Sequence, residues 1–260
     1  MKPHHPDQRG HARANRLRVA LLRLRAARLL LMRTVRRYGL GEKGMTGVSL
    51  LDPANARNRM VDVQIAERGV NDPRVLAAMR LVPREAFIAP ELLEFAYDDG
   101  PLPIGEGQTI SQPYVVALMA QAAELIPDDR VLEVGAGSGY AAAVLSRIVK
   151  KVYAIERHAS LAMEAAERFR RLGYANITLR VADGSQGWSE EAPFDAILVA
   201  AGSVTIPKAL KAQLAIGGRM IIPVGERGDQ NLLKITRRGE AQFDEESLGA
   251  VRFVPLIAGQ

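Results

Sequence analysis

Three glycines alternate at Gly135, Gly137 and Gly139 directly after the apolar run Val131-Leu132-Glu133-Val134, and a helical run begins at Tyr140. A second apolar run, Val152-Tyr153-Ala154-Ile155, ends in Glu156, about 20 residues beyond the first glycine. This order reads as strand, tight turn, helix and strand, the opening unit of a nucleotide-binding α/β sheet. Glycine suits such a turn because φ > 0 costs it little and because it lets a ligand approach the backbone. Glu156 is placed to accept hydrogen bonds from two ribose hydroxyls. Tyr140 stands where the dinucleotide fingerprint has its last glycine. The shorter loop favours a ligand with a ribose but no pyrophosphate, and S-adenosylmethionine is the leading candidate. The alternative is a turn that merely needs glycines to start a helix.

Ligands of such sheets sit beyond the carboxyl ends of the strands. Besides the glycine loop and Glu156, Asp183-Gly184 and the loop after Val199 collect there. Asp183 is a candidate acceptor for an adenine amino group, with a helix cap or turn as the competing role. Gly184 allows close backbone approach. Glu133 lies inside the strand, where a buried carboxylate needs donors; the loop's own amides are the expected source. Glu133 and Gly139 therefore join the candidate cofactor set.

The elements that position these groups follow from periodicity and turn chemistry. Asn55–Arg80 is helical, interrupted near Gly69, with Asn71-Asp72-Pro73 capping a second helix and Val82-Pro83-Arg84 stopping it. Residues 98–113, punctuated by Pro101, Pro103, Gly105, Gly107 and Pro113, form a long irregular segment. Pro113 opens a helix to about Glu124. Strands are expected at Val152–Ile155, Ile177–Val181, Phe194–Val199, Arg219–Pro223, Leu232–Arg237 and Val251–Leu256, the last pair antiparallel. Helices are expected from Leu161 to Leu172 and from Pro207 to Leu214, with a turn at Gly217-Gly218. The class is α/β, a doubly wound, mostly parallel sheet with flanking helices.

Composition narrows the chemistry. The 260 residues include no cysteine, which excludes disulfides, thiolate zinc sites and a cysteine nucleophile. Histidines stand at 4, 5 and 11, leaving His158 alone in the body, so neither a histidine metal site nor a Ser-His-Asp triad is expected there. The net charge of +6 misleads. Residues 1–43 hold twelve Lys/Arg against two Asp/Glu, while 44–260 hold 23 against 27. A basic N-terminal extension and linker (1–52) is thus set apart from a mildly acidic domain (53–260). At about 100° per residue neither the arginines nor the leucines of 16–37 form one face. The extension reads as weakly ordered, with weak contact to an anionic surface or an early-assigned start (Met45 or Met60) as alternatives. No run is long enough to span a bilayer.

Further stretches carry a family resemblance: Met60-Val61-Asp62-Val63-Gln64-Ile65, Val82-Pro83-Arg84-Glu85-Ala86-Phe87, Leu102–Pro113 with Gln108-Thr109-Ile110-Ser111-Gln112-Pro113, Pro193–Ile197, Gly217–Met220, Pro223-Val224-Gly225 and Phe253–Leu256. With Val131–Tyr140 they make the chain from about Asn55 onward resemble the protein-L-isoaspartate(D-aspartate) O-methyltransferase family. Gln108–Pro113 is the specific signal, since many methyltransferases share the glycine loop. The resemblance implies a Rossmann-like class I S-adenosylmethionine-dependent methyltransferase. Such an enzyme esterifies the free carboxylate of L-isoaspartyl (and D-aspartyl) residues in damaged proteins, initiating repair through a succinimide and releasing S-adenosyl-L-homocysteine. It further implies Ser111 as the active-site serine, Gln108, Thr109, Ile110, Gly135, Gly137, Ser138, Glu156, Asp183 and Gly184 around the cofactor, and Val224 and Gly225 at the substrate backbone. Damaged proteins and peptides are then the partners, and a cytoplasmic monomer is expected.

The chemistry asks little of the chain. A carboxylate with a pKa of about 4 is already ionised at neutral pH, so neither a general base nor a metal is expected. A serine hydroxyl suffices to orient it, although Ser111 beside Pro113 also suits a helix cap. Two other readings compete: a nucleic-acid methyltransferase anchored by the basic extension, and a non-catalytic isoaspartyl-peptide receptor. Against the first, Ala200-Ala201-Gly202-Ser203 lacks the Asp/Asn-Pro-Pro-aromatic motif of exocyclic base-amine methylation. Against the second stand the intact glycine loop, Glu156 and Ser111.

Overall fold

The computed structural model describes residues 52–259. The expectations for the basic extension, for most of the linker and for Met45 lie outside that range. The Asp52 carboxylate accepts from the Ala54 amide at 2.9 Å and caps α1 (Pro53–Arg59). The helix then widens into a π-helical turn, Met60–Ile65, and tightens into a 3-10 turn that ends at left-handed Gly69. Met60, Val61 and Ile65 are the residues that this turn buries. Asp72 caps α2 (Pro73–Leu81) by accepting from the Arg74 amide at 2.8 Å, with proline at the first position.

The expected irregular segment contains one regular piece, a two-stranded hairpin of β1 (Leu102–Pro103) and β2 (Thr109–Ile110). Its tip turns at Glu106 and Gly107, both at positive φ, as the mirror-image hairpin turns require. Helix α3 (Pro113–Ala122) follows.

The rest alternates as expected: β3 (Arg130–Val134), α4 (Tyr140–Leu145), β4 (Lys151–Glu156), α5 (Ala159–Leu172), β5 (Ile177–Val181), β6 (Phe194–Val199), α6 (Lys208–Ala212) and β7 (Leu214–Glu226). Then come β8 (Asp229–Arg237) and β9 (Phe243–Val251). The seven-stranded sheet runs β5-β4-β3-β6-β7-β8-β9. The first five strands are parallel, and β8 and β9 are antiparallel to their predecessors. The chain leaves β3 first toward β4 and later returns on its other side as β6. The carboxyl end of β3 is therefore the switch point where such sheets bind ligands.

Three boundaries differ from expectation. The helix begun at Pro207 stops at Ala212, because Leu214 already pairs with Phe194. Gly217-Gly218 does not separate helix from strand; it lies within β7 beside a register shift. The last strand is Phe243–Val251, so Val251–Leu256 is mostly past it, with a single parallel bridge from Pro255 to Gly202.

Leu132, Val134, Ile155, Phe194, Ile197, Met220 and Ile222 share one buried cluster across the central strands. Tyr153 meets Phe194 and Trp188 edge to face, each at 5.6 Å. Helix α5 packs on β4 and β5, and α2 reaches α4. At the start of α4, Gly139 has φ +88° and a Cβ there would stand 2.6 Å from Phe169 Cζ. Gly139→Ala is expected to lose about 2–5 kcal/mol, adding a left-handed backbone penalty of about 1–2 to an overpacking cost of about 1–3. Urea unfolding measures it, and an unchanged midpoint would contradict the packing described.

Candidate active site

The glycine loop is shaped by what its amides bond. Those of Gly135 and Ala136 donate to the Ile155 carbonyl at 2.9 and 3.1 Å, and that of Gly139 to Ala136 at 2.8 Å. The Gly137 amide donates to Glu156 Oε2 at 2.8 Å, while Glu156 Oε1 accepts from the His158 amide at 2.8 Å. Positive φ at 135, 137 and 139 makes all three glycines necessary. A carboxylate offers about four acceptor sites, so Glu156, carrying two amides, keeps capacity for hydroxyls.

The β1–β2 hairpin leans over this loop. A Cβ on Gly137 would meet Ile104 Cδ1 at 3.2 Å, and one on Gly105 would meet Leu161 Cδ2 at 3.1 Å. Ser160 Oγ donates to Glu106 Oε1 at 3.1 Å and ties the hairpin tip to α5. Past β2, Ser111 precedes Gln112, the residue that starts α3 without a side-chain capping bond. Gln112 Nε2 instead donates to Asp99 Oδ1 at 2.6 Å. The capping role for Ser111 is therefore not taken up, and its hydroxyl has no hydrogen-bond partner among the described residues.

Two cavities meet here. A narrow cleft of about 70 Å³ is bounded by Gln108, Thr109, Gly135, Gly137, Glu156 and Gly184, with Val254–Ile257 along one side. A wide groove of about 800 Å³ holds Ser111, Gln112, Tyr114 and residues of the β7–β8 turn. Thr109, Ala200, Val254 and Pro255 border both. The cleft's chemistry suits a nucleoside: apolar Val134, Ile155 and Leu256 for a base, a carboxylate for hydroxyls, and glycines where a side chain would intrude. A Cβ on Gly135 would face Ala200 at 3.7 Å within the cleft.

The sequence model of the protein-L-isoaspartate(D-aspartate) O-methyltransferase family matches residues 55–260. The chain belongs to this family. Among its relatives, a protein-L-isoaspartate O-methyltransferase of Methylorubrum extorquens is 59% identical over 208 residues, covering 80% of this chain and 91% of its own. One from Roseiflexus is 56% identical over 209 residues, covering 80% and 95%. A solved protein-L-isoaspartate O-methyltransferase superposes with TM-score 0.70 at 30% identity, over 78% of this chain and 66% of that one. A Plasmodium falciparum structure of the same description, in complex with S-adenosyl-L-homocysteine, gives TM-score 0.68 at 28% identity, over 77% and 98%.

Within this family member, six of the candidate cofactor residues border the cleft: Gln108, Thr109, Gly135, Gly137, Glu156 and Gly184. Ile110, Glu133 and Ser138 are buried behind it, and Gly139 starts α4. Asp183 takes the capping role. Its Oδ1 accepts from the Ser185 amide at 2.9 Å, and its Oδ2 from the Gly259 amide at 2.9 Å. Burial pushes the Asp183 pKa up, but the Gly259 and Ser185 donors outweigh it and the net shift is downward. Val224 and Gly225 pair with Ser203 on the neighbouring loop and border neither cavity. A Cβ on Gly225 would stand 2.2 Å from the Asp229 carbonyl, so only glycine fits. Unforeseen in the sequence were Val254–Ile257, held by reciprocal bonds between Gly202 and Val254 (2.8 Å) and Leu256 (2.7 Å), and by Arg157 donating to the Ile257 carbonyl at 3.0 Å.

Glu133 corrects an expectation. The amides of Gly135, Ala136, Gly137 and Gly139 are committed elsewhere, and both Glu133 oxygens are buried without a hydrogen-bond partner. Burial, then the nearby Glu156 carboxylate, push its pKa well above 4.5, against a weaker pull from the Ala142 amide. A group whose folded pKa is raised contributes stability below its unfolded pKa and loses it as pH rises through the folded value. Wild type is therefore expected to lose thermal stability relative to Glu133→Gln as pH rises above about 4.3, the ordinary glutamate pKa of the unfolded chain, with the gap widening upward. Parallel melting curves give the answer, and a gap that does not change with pH would mean Glu133 is not held neutral.

Proposed function

We propose that this chain transfers a methyl group from S-adenosylmethionine to the free carboxylate of L-isoaspartyl (and D-aspartyl) residues in damaged proteins and peptides, the ester then closing to a succinimide that reopens to aspartate. The observation that carries this reading is the shared border of cleft and groove at Thr109, Ala200, Val254 and Pro255. A small cofactor on one side and an extended peptide on the other meet only there. The catalytic domain in this reading is 53–260. The enzyme works as a monomer in the cytoplasm, without nucleic acid; among the described residues no helix is long and apolar enough to cross a membrane.

The cofactor, when bound, supplies an electrophilic methyl on a sulfonium and departs as S-adenosyl-L-homocysteine. Glu156 holds its ribose hydroxyls, and Gly135, Gly137 and Ser138 shape the loop beneath it. Gln108, Thr109 and Ile110 bring the hairpin against it, Gly184 gives it room, and Glu133 and Gly139 support the loop from behind. Asp183 serves by ordering the turn at Gly184. Ser111 donates one hydrogen bond to the substrate carboxylate, leaving the second oxygen directed at the methyl. That carboxylate arrives ionised, so no proton has to be moved. The chain's contribution is desolvation and alignment of an in-line displacement. Val224 and Gly225, expected at the substrate backbone, are taken up by Ser203 on one side and β8 on the other, so in this reading they act by fixing the Ser203 loop rather than by holding substrate themselves.

Paired synthetic peptides, one with L-isoaspartate and one with aspartate at the same position, test the reading with labelled S-adenosylmethionine. Base-labile label on the isoaspartyl peptide alone is expected; label on neither, with cofactor bound, would overturn it. Ser111→Ala is expected to lower kcat by about 10²-fold or more, in line with the loss of an aligning hydrogen bond, while cofactor affinity by calorimetry stays within about twofold of wild type. Unimpaired turnover would remove Ser111 from the mechanism.

A further inference from the structure

The groove beside Ser111 is far larger than one carboxylate needs, and its outer charges are uneven. Three arginines from separate elements border it: Arg68 after the π-helical turn, Arg227 in the β7–β8 turn and Arg252 just past β9. Among the described residues, Asp229 is the one acidic side chain on that border. Arg68 is partly committed, paired with Asp99 at 3.1 Å and stacked 3.6 Å above the Tyr114 ring. Arg227 and Arg252 are exposed, and neither has an ion-pair or hydrogen-bond partner among the described residues. Glu226, next to Arg227 in the chain, borders neither cavity. Pro101, Leu118, Leu248 and Val251 add apolar lining to the same groove. A peptide bound in that groove shares its walls with the arginines, which the side chains beside its damaged residue would then meet.

We propose that the outer groove reads charge: Arg227 and Arg252, with Arg68, select isoaspartyl peptides that carry aspartate or glutamate next to the damaged residue. The inference rests on the groove being the peptide site of the proposed reaction. Guanidinium groups meet carboxylates bidentately, and exposed ones act mainly on substrate capture, with a strong dependence on salt.

Three peptides of one sequence, acetylated and amidated at their ends, test it. Each carries one L-isoaspartate, flanked by glutamate, glutamine or lysine. Wild type is expected to rank them glutamate, glutamine, lysine in kcat/KM, with about a fivefold span expressed in KM, the size two exposed charge pairs supply. Raising the salt to about 0.5 M is expected to compress the span, since screening shortens to a few ångström. In Arg227→Gln/Arg252→Gln the span is expected to fall within about twofold, with an unchanged melting temperature. Equal kcat/KM for all three peptides with wild type, or a lysine preference, would overturn the proposal. So would a double variant that loses activity equally on all three, because the arginines would then hold any substrate regardless of charge. Failure of wild type to methylate even the glutamine peptide, with cofactor bound, would instead remove the underlying reading and the proposal with it.

Discussion

One hydrogen bond, from the Gly137 amide to Glu156 Oε2 at 2.8 Å, joins the two features on which the site depends. It ties the turn after β3 to the end of the neighbouring strand β4, beside the point where the sheet reverses its winding between β3 and β6. The amides of Gly135, Ala136 and Gly139 are spent on Ile155 and Ala136, which holds the turn at both ends. Left-handed backbone at alternate positions follows, and so do the close approach of Ile104 above Gly137 and of Phe169 behind Gly139. The hairpin carrying Gln108 and Thr109 has a defined surface to rest on only because that loop is fixed. What the loop does not do is serve the carboxyl of Glu133, whose oxygens are buried without a partner and whose pKa is pushed up by that burial.

Legibility in the sequence tracks how local each cause is. The strands Ile177–Val181 and Phe194–Val199 are legible to their ends: the second is a short, mostly apolar and buried run between turn residues, and the first, half exposed at the sheet edge, is bounded by Asn176 and by Asp183-Gly184. Asp72-Pro73 announces its helix because a cap acts within three residues. The segment Phe243–Val251 does not resemble a strand: Asp244, Glu245 and Glu246 lie in a row on an exposed edge, where no buried face imposes alternation. Val254–Ile257 mimics that strand instead, since its residues are apolar for another reason, namely contact with the cleft. The π-helical turn at Met60–Ile65 is equally hidden, because its apolar positions fit an ordinary helix almost as well.

The site residues divide the same way. Glycines at positive φ and a carboxylate at a strand end are local demands, and Gly135, Gly137, Glu156 and Gly184 stand where the pattern puts them. Val224 and Gly225 are pinned by pairing with Ser203, a long-range event that no spacing reveals. Asp183 suits two roles on sequence alone, and the fold fills both of its oxygens with backbone amides. The border shared by cleft and groove joins residues from position 109 to position 255, so its existence is a property of the fold rather than of any stretch.

That span has a consequence for biosynthesis. The glycine loop leaves the ribosome about 120 residues before Pro255, an interval of roughly 6–24 s at ordinary elongation rates. During it the nascent chain carries Glu156, Ser111 and the hairpin, yet lacks the wall that Val254–Ile257 supply. A nascent or prematurely ended chain therefore carries the glycine loop and the Gln108–Pro113 segment but neither Phe253–Leu256 nor the wall that this stretch adds to the cleft. Competence arrives at one moment, when Pro255 docks beside Gly202, so the cell gains an enzyme from each chain late and all at once.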